Sequence, residues 1–147
     1  MIRRMQEQDI DAVTAIEQEI FSKPWSKKSF LDAVRAEHTI YLLAEGATGI
    51  MGYCGIWLSG ETGDLCNMAV HPSCRRRGIG RELLAEAIHL SIGRGAKEIF
   101  LEVRESNEPA IVLYKNFGFQ KIGIRKGYYH IPTEDAVIMR CGIKCEQ

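Results

Sequence analysis

Apolar positions along the chain change their period several times, and each change marks an element. Ile2 to Met5 reads as a short strand. Asp9 is an N-cap by residue type, and Ile10, Val13, Ile16 and Ile20 after it follow the spacing of one helix face. Ser22-Lys-Pro-Trp-Ser26 interrupts that face, and Ser26 caps a second helix carrying Phe30, Leu31 and Val34. Thr39 to Ala44 is rich in strand formers. Gly46 to Gly49 reads as a turn, with Ile50 to Leu58 as the return strand of a hairpin. A second turn, Gly60 to Gly63, leads into a strand from Asp64 to Val70.

Beyond Val70 the pattern becomes that of a crossover. A loop from His71 to Arg77 runs into Gly78-Ile-Gly80, and a helix follows with Ile79, Leu83, Leu84, Ala87, Ile88 and Ile92 along one face. Gly93 and Gly95 end it. Glu98 to Val103 is a strand. Ser106-Asn107 caps a further helix, with Pro109 tolerated in its first turn, which buries Ala110, Leu113, Tyr114 and Phe117 and stops at Gly118. Phe119 to Tyr129 and Asp135 to Cys141 close the chain as a strand pair. Antiparallel strands come first and a crossover unit second. With no repeat, linker or low-complexity stretch, this predicts one mixed α/β domain over residues 1–147.

Composition narrows the function. Apolar residues make up 46%, and 19 basic against 19 acidic residues give a formal charge of zero. That balance argues against a general nucleic-acid binder while leaving room for a local basic pocket. The five cysteines (Cys54, Cys66, Cys74, Cys141 and Cys145) form no CxxC pair and read as reduced thiols of a cytoplasmic protein. Met1 to Met5 lacks an apolar signal core, and no apolar run is long enough to span a membrane. His38, His71, His89 and His130 are scattered and read as surface or loop residues, so no metal site is expected.

Two blocks carry candidate chemistry. The first is Arg75-Arg-Arg-Gly78-Ile-Gly80, joining a strand to a helix. Glycines let a phosphate approach the backbone, the helix N-terminus supplies bare N–H groups, and the arginines supply forked charge. The same loop also suits a plain glycine turn beside a solvated arginine cluster. A dinucleotide fingerprint fails, because Leu83 stands where glycine or alanine is needed and seven residues separate Val70 from Gly78. A P-loop fails for want of Gly-Lys-Ser/Thr. The second block is Leu101-Glu-Val-Arg-Glu-Ser-Asn107 followed by Leu113-Tyr-Lys-Asn-Phe-Gly-Phe119. Glu102 sits at the end of a central strand, on the opposite face from Leu101 and Val103, and a carboxylate partly desolvated in such a crevice suits a general base. Tyr114, on the next helix, reads either as core packing or as a phenol presented to the same crevice.

Arg-x-x-Gly-x-Gly after Asn67-Met-Ala-Val70-His-Pro72 resembles the pyrophosphate loop of the GNAT acetyltransferases. The resemblance implies the acyl-CoA N-acyltransferase fold, a central, mostly antiparallel twisted sheet of about seven strands with about four helices. It implies acetyl-CoA as cosubstrate, held by the loop Arg75, Arg76, Arg77, Gly78, Ile79, Gly80 and Arg81 through backbone N–H groups from about Arg76 onward. Met68, Ala69 and Val70 would pair with the pantetheine arm, the Val70 N–H polarising the thioester carbonyl.

The second block resembles the RimI-type branch of that family, which acetylates protein N-termini. In that branch the residue matching Glu102 is the base. The one matching Tyr114 stabilises or protonates the departing thiolate, and the one matching Asn107 contacts the cofactor. Pro24-Trp-Ser26, Tyr128-Tyr129 and Glu134-Asp-Ala-Val-Ile-Met139 match as well, so the resemblance runs along nearly the whole chain. By resemblance Trp25, Tyr128 and Tyr129 border the peptide groove, although each also suits an aromatic core position. The implied acceptor is the N-terminal alanine of a small-subunit ribosomal protein. Lysine side chains or small amines are the alternative acceptors, and a non-enzymatic CoA-binding domain is a further reading. The short stretch from Tyr129 to Glu134 implies a compact loop beside the peptide. No extra interaction segment is visible, and a monomer is expected.

Overall fold

A computed structural model describes residues 1–130 and 132–143. Cys145 of the thiol reading lies outside the described residues. The strands are β1 (Ile2–Arg4), β2 (Thr39–Gly46), β3 (Gly49–Ser59), β4 (Thr62–Val70), β5 (Glu98–Arg104), β6 (Gln120–His130) and β7 (Thr133–Gly142). The helices are α1 (Ile10–Ile20), α2 (Lys27–Arg35), α3 (Ile79–Gly93) and α4 (Glu108–Asn116). Short 3-10 turns at Glu7–Asp9 and Pro72–Cys74 lead into α1 and the loop before α3.

All seven strands join one sheet in the order β1-β2-β3-β4-β5-β7-β6. Every neighbouring pair is antiparallel except β4 and β5. That parallel pair needs a crossover, and α3 supplies it. Strand alternation then sorts side chains to two faces. Ile40, Leu42 and Ala44 of β2 join Leu83, Leu84 and Ala87 of α3 on one face. Tyr41 and Leu43 join Val13 and Ile16 of α1 and Phe30 of α2 on the other. There Phe30 and Tyr53, both sealed from solvent, meet edge to face with ring centres 5.8 Å apart. Such pairs contribute about 0.5–1.5 kcal/mol beyond their buried area.

Local sequence accounts for the element ends. Ser26 caps α2, its Oγ accepting the Ser29 N–H at 3.1 Å. Asn107 Oδ1 accepts the Ala110 N–H at 3.3 Å. Asp9 precedes α1 as expected, but its side chain does not cap that helix. Its carboxylate turns back to accept the Gln6 N–H at 2.8 Å and pairs with Arg3. On α4 only Tyr114 is fully buried, while Ala110 and Leu113, and Phe117 just beyond the helix, are half-covered. Glu102 is not the last residue of its strand, since β5 continues to Arg104.

Candidate active site

The sheet opens in its middle. The β4–β5 ladder runs from Thr62–Glu98 to Leu65–Leu101 and stops. At that point β4 carries a bulge: Gly55 pairs with Asn67 and Ile56 with Leu65, leaving Cys66 as the extra residue. A bulge bends its strand and increases the local twist. β4 therefore follows β3 while β5 follows β7 along its whole length, and the two strands part. His71 N–H donates to Met51 O of β3 at 2.7 Å. N–H groups alternate sides along a strand, so the Val70 N–H points away from β3, into the opening.

A cleft of about 860 Å³ fills this opening. It gathers Met68 from β4, Glu102 from β5, Asn107 and Tyr114 from the α4 region, Trp25 from the α1–α2 connection, and Tyr128 and Tyr129 from β6. Seven of the singled-out residues thus meet in one place. The Ala69 side chain does not, and packs instead with the α1 and α2 core.

The arginine-glycine loop lies beside the cleft. Gly78 precedes α3 at φ 77°, and Arg76 has a left-handed φ of 67°. The first bond of α3 runs from Glu82 N–H to Gly78 O at 3.1 Å. The N–H groups of Ile79, Gly80 and Arg81 therefore have no intrahelical acceptor, and the positive end of the helix dipole lies with them. A methyl on Gly80 would meet Met68 Cε at 3.3 Å and Leu113 at 3.5 Å, so the start of α3 presses against the cleft wall. Arg75, Arg76 and Arg77 are exposed, and Arg75 Nε donates to Val70 O at 3.2 Å. Three bare N–H groups within a cationic loop form a ready anion site.

Within the cleft, Glu102 is half-buried. Its Oε2 atom is sealed and lies 2.9 Å from Arg125 Nε, in an ion pair not aligned as a hydrogen bond. Tyr114 is 5% exposed and lies edge-on to Phe119, so it serves the core and the cleft together. Burial, with smaller contributions from Cys54 and Tyr129, pushes its phenol well above the ordinary range. It therefore stays protonated and available as a hydrogen-bond donor. The Tyr129 phenol is pushed up to about 12, by burial first and then by Tyr128 and Glu102.

Tyr128 and Tyr129 owe their placement to a second irregularity. Between Arg125–Ala136 and Tyr129–Glu134 the register of β6 against β7 slips, with Gly127 at φ 61° and its N–H on Asp135 Oδ1 at 2.9 Å. Arg104 then stacks its guanidinium 4.3 Å over the Tyr129 ring while pairing with Glu134 at 3.2 Å.

Two polar residues of the site were not singled out from the sequence. Glu17 is 4% exposed, lines the cleft, and accepts the Trp25 N–H at 3.0 Å and the Tyr53 hydroxyl at 2.6 Å. Its sequence signal is an acidic residue within the apolar stripe of α1, four after Val13 and three before Ile20. Asn67 is likewise buried, on the face of β4 that carries Ala69, opposite to Leu65 because the bulge at Cys66 intervenes. Trp57 Nε1 donates to Tyr41 Oη at 2.8 Å, and Tyr41 donates to Asn67 Oδ1 at 2.5 Å. Among the described residues no group of three or more His, Cys, Asp or Glu is placed to hold a metal ion. None of the described helices is long and apolar enough to cross a membrane.

A mixed sheet split at its one parallel junction, with bare helix N–H groups beside the split and a carboxylate and a neutral phenol within it, is the framework of an acetyl-transferring enzyme. The chain belongs to the acetyltransferase (GNAT) family, whose model matches residues 10–119. It is 38% identical over 136 residues to the [ribosomal protein bS18]-alanine N-acetyltransferase of Salmonella typhimurium, covering 89% of each chain. It is 34% identical over 138 residues to the N-alpha-acetyltransferase RimI of Mycobacterium tuberculosis, covering 90% of this chain and 85% of that one. Its fold superposes on the crystal structure of the ribosomal-protein-S18-alanine N-acetyltransferase from Escherichia coli with a TM-score of 0.90 and 33% identity, over 98% of this chain and 94% of the other. The expected seven-stranded sheet with four helices is therefore the fold observed.

Proposed function

We propose that this enzyme transfers acetyl from acetyl-CoA to the α-amine of a protein N-terminus, the N-terminal alanine of a small-subunit ribosomal protein. The observation that carries the reading is the convergence of Glu102 and Tyr114 on one cleft beside the unpaired edge of β4. The acceptor rests on the relatives, whose names specify ribosomal-protein alanine.

Acetyl-CoA supplies the activated acetyl group and a thiolate leaving group. The bare N–H groups of Ile79, Gly80 and Arg81 suit its pyrophosphate, with Arg76 and Arg77 adding charge. The Val70 N–H is aimed to donate to a carbonyl oxygen lying along β4. Glu102 accepts the proton that the amine nitrogen loses as its new bond to carbon forms. The Tyr114 O–H donates to the sulfur as the carbon–sulfur bond breaks. A phenol that burial makes a weaker acid performs this by hydrogen bonding rather than by giving up its proton. An α-amine near pKa ~7.8 is easier to deprotonate than a lysine near ~10.4, by roughly 3.5 kcal/mol. One carboxylate is therefore an adequate base for the α-amine.

The test is acetyl transfer to two peptides. One carries the free N-terminal alanine of the source organism's small-subunit ribosomal protein. The other has that amine blocked and one lysine free. Transfer to the first alone is expected. Transfer to the second alone would move the acceptor to lysine, and transfer to neither would sink the peptide reading.

A further inference from the structure

Resting on the reading of Glu102 as proton acceptor, we propose that Arg125 is its positioning residue, holding one carboxylate oxygen so that the other faces the acceptor amine. Arg125 sits on the outermost strand, two strands away from Glu102. Glu102 pairs with Ile138 across β5–β7, and Ile138 pairs with Gly123 across β7–β6. Paired residues share a face, and Arg125, two residues beyond Gly123, shares it too. Arg125 pairs with Ala136 of β7, and its side chain reaches diagonally across that strand to bring Nε within 2.9 Å of Glu102 Oε2.

The two oxygens of Glu102 have different surroundings. Oε2 is sealed, with Arg125 as its charged neighbour but no aligned donor. Oε1 has no hydrogen bond among the described residues. Glu102 lines the cleft and Arg125 does not, so the guanidinium approaches from behind the reacting face. Arg125 in turn lies 5.5 Å from the Tyr128 ring centre, which favours a cation there. The Arg125 side chain is 58% exposed, a poor investment for stability alone. As a fixed counter-charge it has a clearer use. Without it the carboxylate is free to rotate, and proton transfer depends on holding acceptor and proton in register.

The experiment compares Arg125→Met, Arg125→Lys, Glu102→Gln and the Arg125→Met/Glu102→Gln double variant in the full chain. The assay is steady-state acetylation of a peptide with a free N-terminal alanine, with thermal melting run as a folding control. Arg125→Met is expected to lower kcat about tenfold and leave the KM for acetyl-CoA unchanged. Arg125→Lys, which keeps the charge without the fork, should recover kcat to within about threefold of the parent. In the Glu102→Gln background Arg125→Met should cause no further loss, because the two act as one unit. An unchanged kcat in Arg125→Met, or an equal loss with and without Glu102, overturns the positioning role while leaving Glu102 as base. An unchanged kcat in Glu102→Gln alone removes the base assignment and this inference with it.

Discussion

Tyr53 donates its hydroxyl to Glu17 Oε1 at 2.6 Å, in a contact closed to solvent from both sides. The other oxygen of Glu17 holds the Trp25 N–H, so one buried carboxylate ties the loop at the cleft mouth to β3. Tyr53→Phe leaves a buried oxygen without its donor, which costs about 1–3 kcal/mol. Urea unfolding should report that loss, together with a raised KM for the peptide as the Trp25 loop loosens. A peptide KM equal to the parent's would separate Glu17 from the acceptor side.

Arg3 grips Asp9 with two nitrogens, at 2.8 and 2.9 Å, and the Gln6 N–H adds a further bond. Arg3 first, then Gln6, holds the Asp9 carboxyl below its usual range against the opposing effect of burial. A depressed folded-state value stabilises the fold fully above the unfolded value near ~3.9, and the contribution disappears as pH falls through the lower folded one. Asp9→Asn should therefore flatten the fall of unfolding free energy below about pH 4. Denaturant titrations between pH 2 and 6 check this, and an unaltered acid slope would refute it.

Gly78 has open space around a notional Cβ, so only its φ of 77° resists substitution. Gly78→Ala should cost about 1 kcal/mol of stability through backbone strain. The same strain would turn the N–H groups at the start of α3. A raised KM for acetyl-CoA with kcat preserved is the expected kinetic result, and a lowered kcat at constant KM would contradict the anion-site reading.

Tyr114→Phe removes the hydroxyl and keeps the ring that packs on Phe119. Turnover should fall about 10- to 100-fold while the melting temperature changes little. Because burial raises the phenol above its ordinary value, the parent enzyme should show no Tyr114-dependent decline in kcat up to about pH 10. A pH–rate profile of both forms measures this directly, and a basic limb lost only in the variant would count against it.

Much of this architecture is legible in the amino-acid sequence. Helix faces and turn glycines are local signals, and α1 through α4 begin directly after Asp9, Ser26, Gly78 and Asn107. The motif residues Trp25, Glu102, Asn107, Tyr114, Tyr128 and Tyr129 do meet in one cleft. What period and composition do not encode is pairing at a distance. Nothing in the run Phe119 to Tyr129 announces that β7 will lie between β5 and β6, or that the run slips register twice. The reach of Arg125 to Glu102 depends on both facts. The bulge at Cys66 is similarly silent, since an extra residue looks like any other strand residue until its partner strand is known. Glu17 was visible only as an exception to a helical stripe, and its meaning came from Tyr53 and Trp25, distant in sequence or across a loop.

The parting of β4 from β5 also bears on aggregation. A strand with open hydrogen-bonding groups normally invites a foreign chain to add to it. Here the open groups face inward, with β5 standing as the opposite lip, so a folded neighbour has no broadside approach. The outer rims of the sheet are poor templates too: β1 has three residues and β6 is broken by two register shifts. The protein thus keeps a strand receptive to a slender ligand while denying it to other proteins.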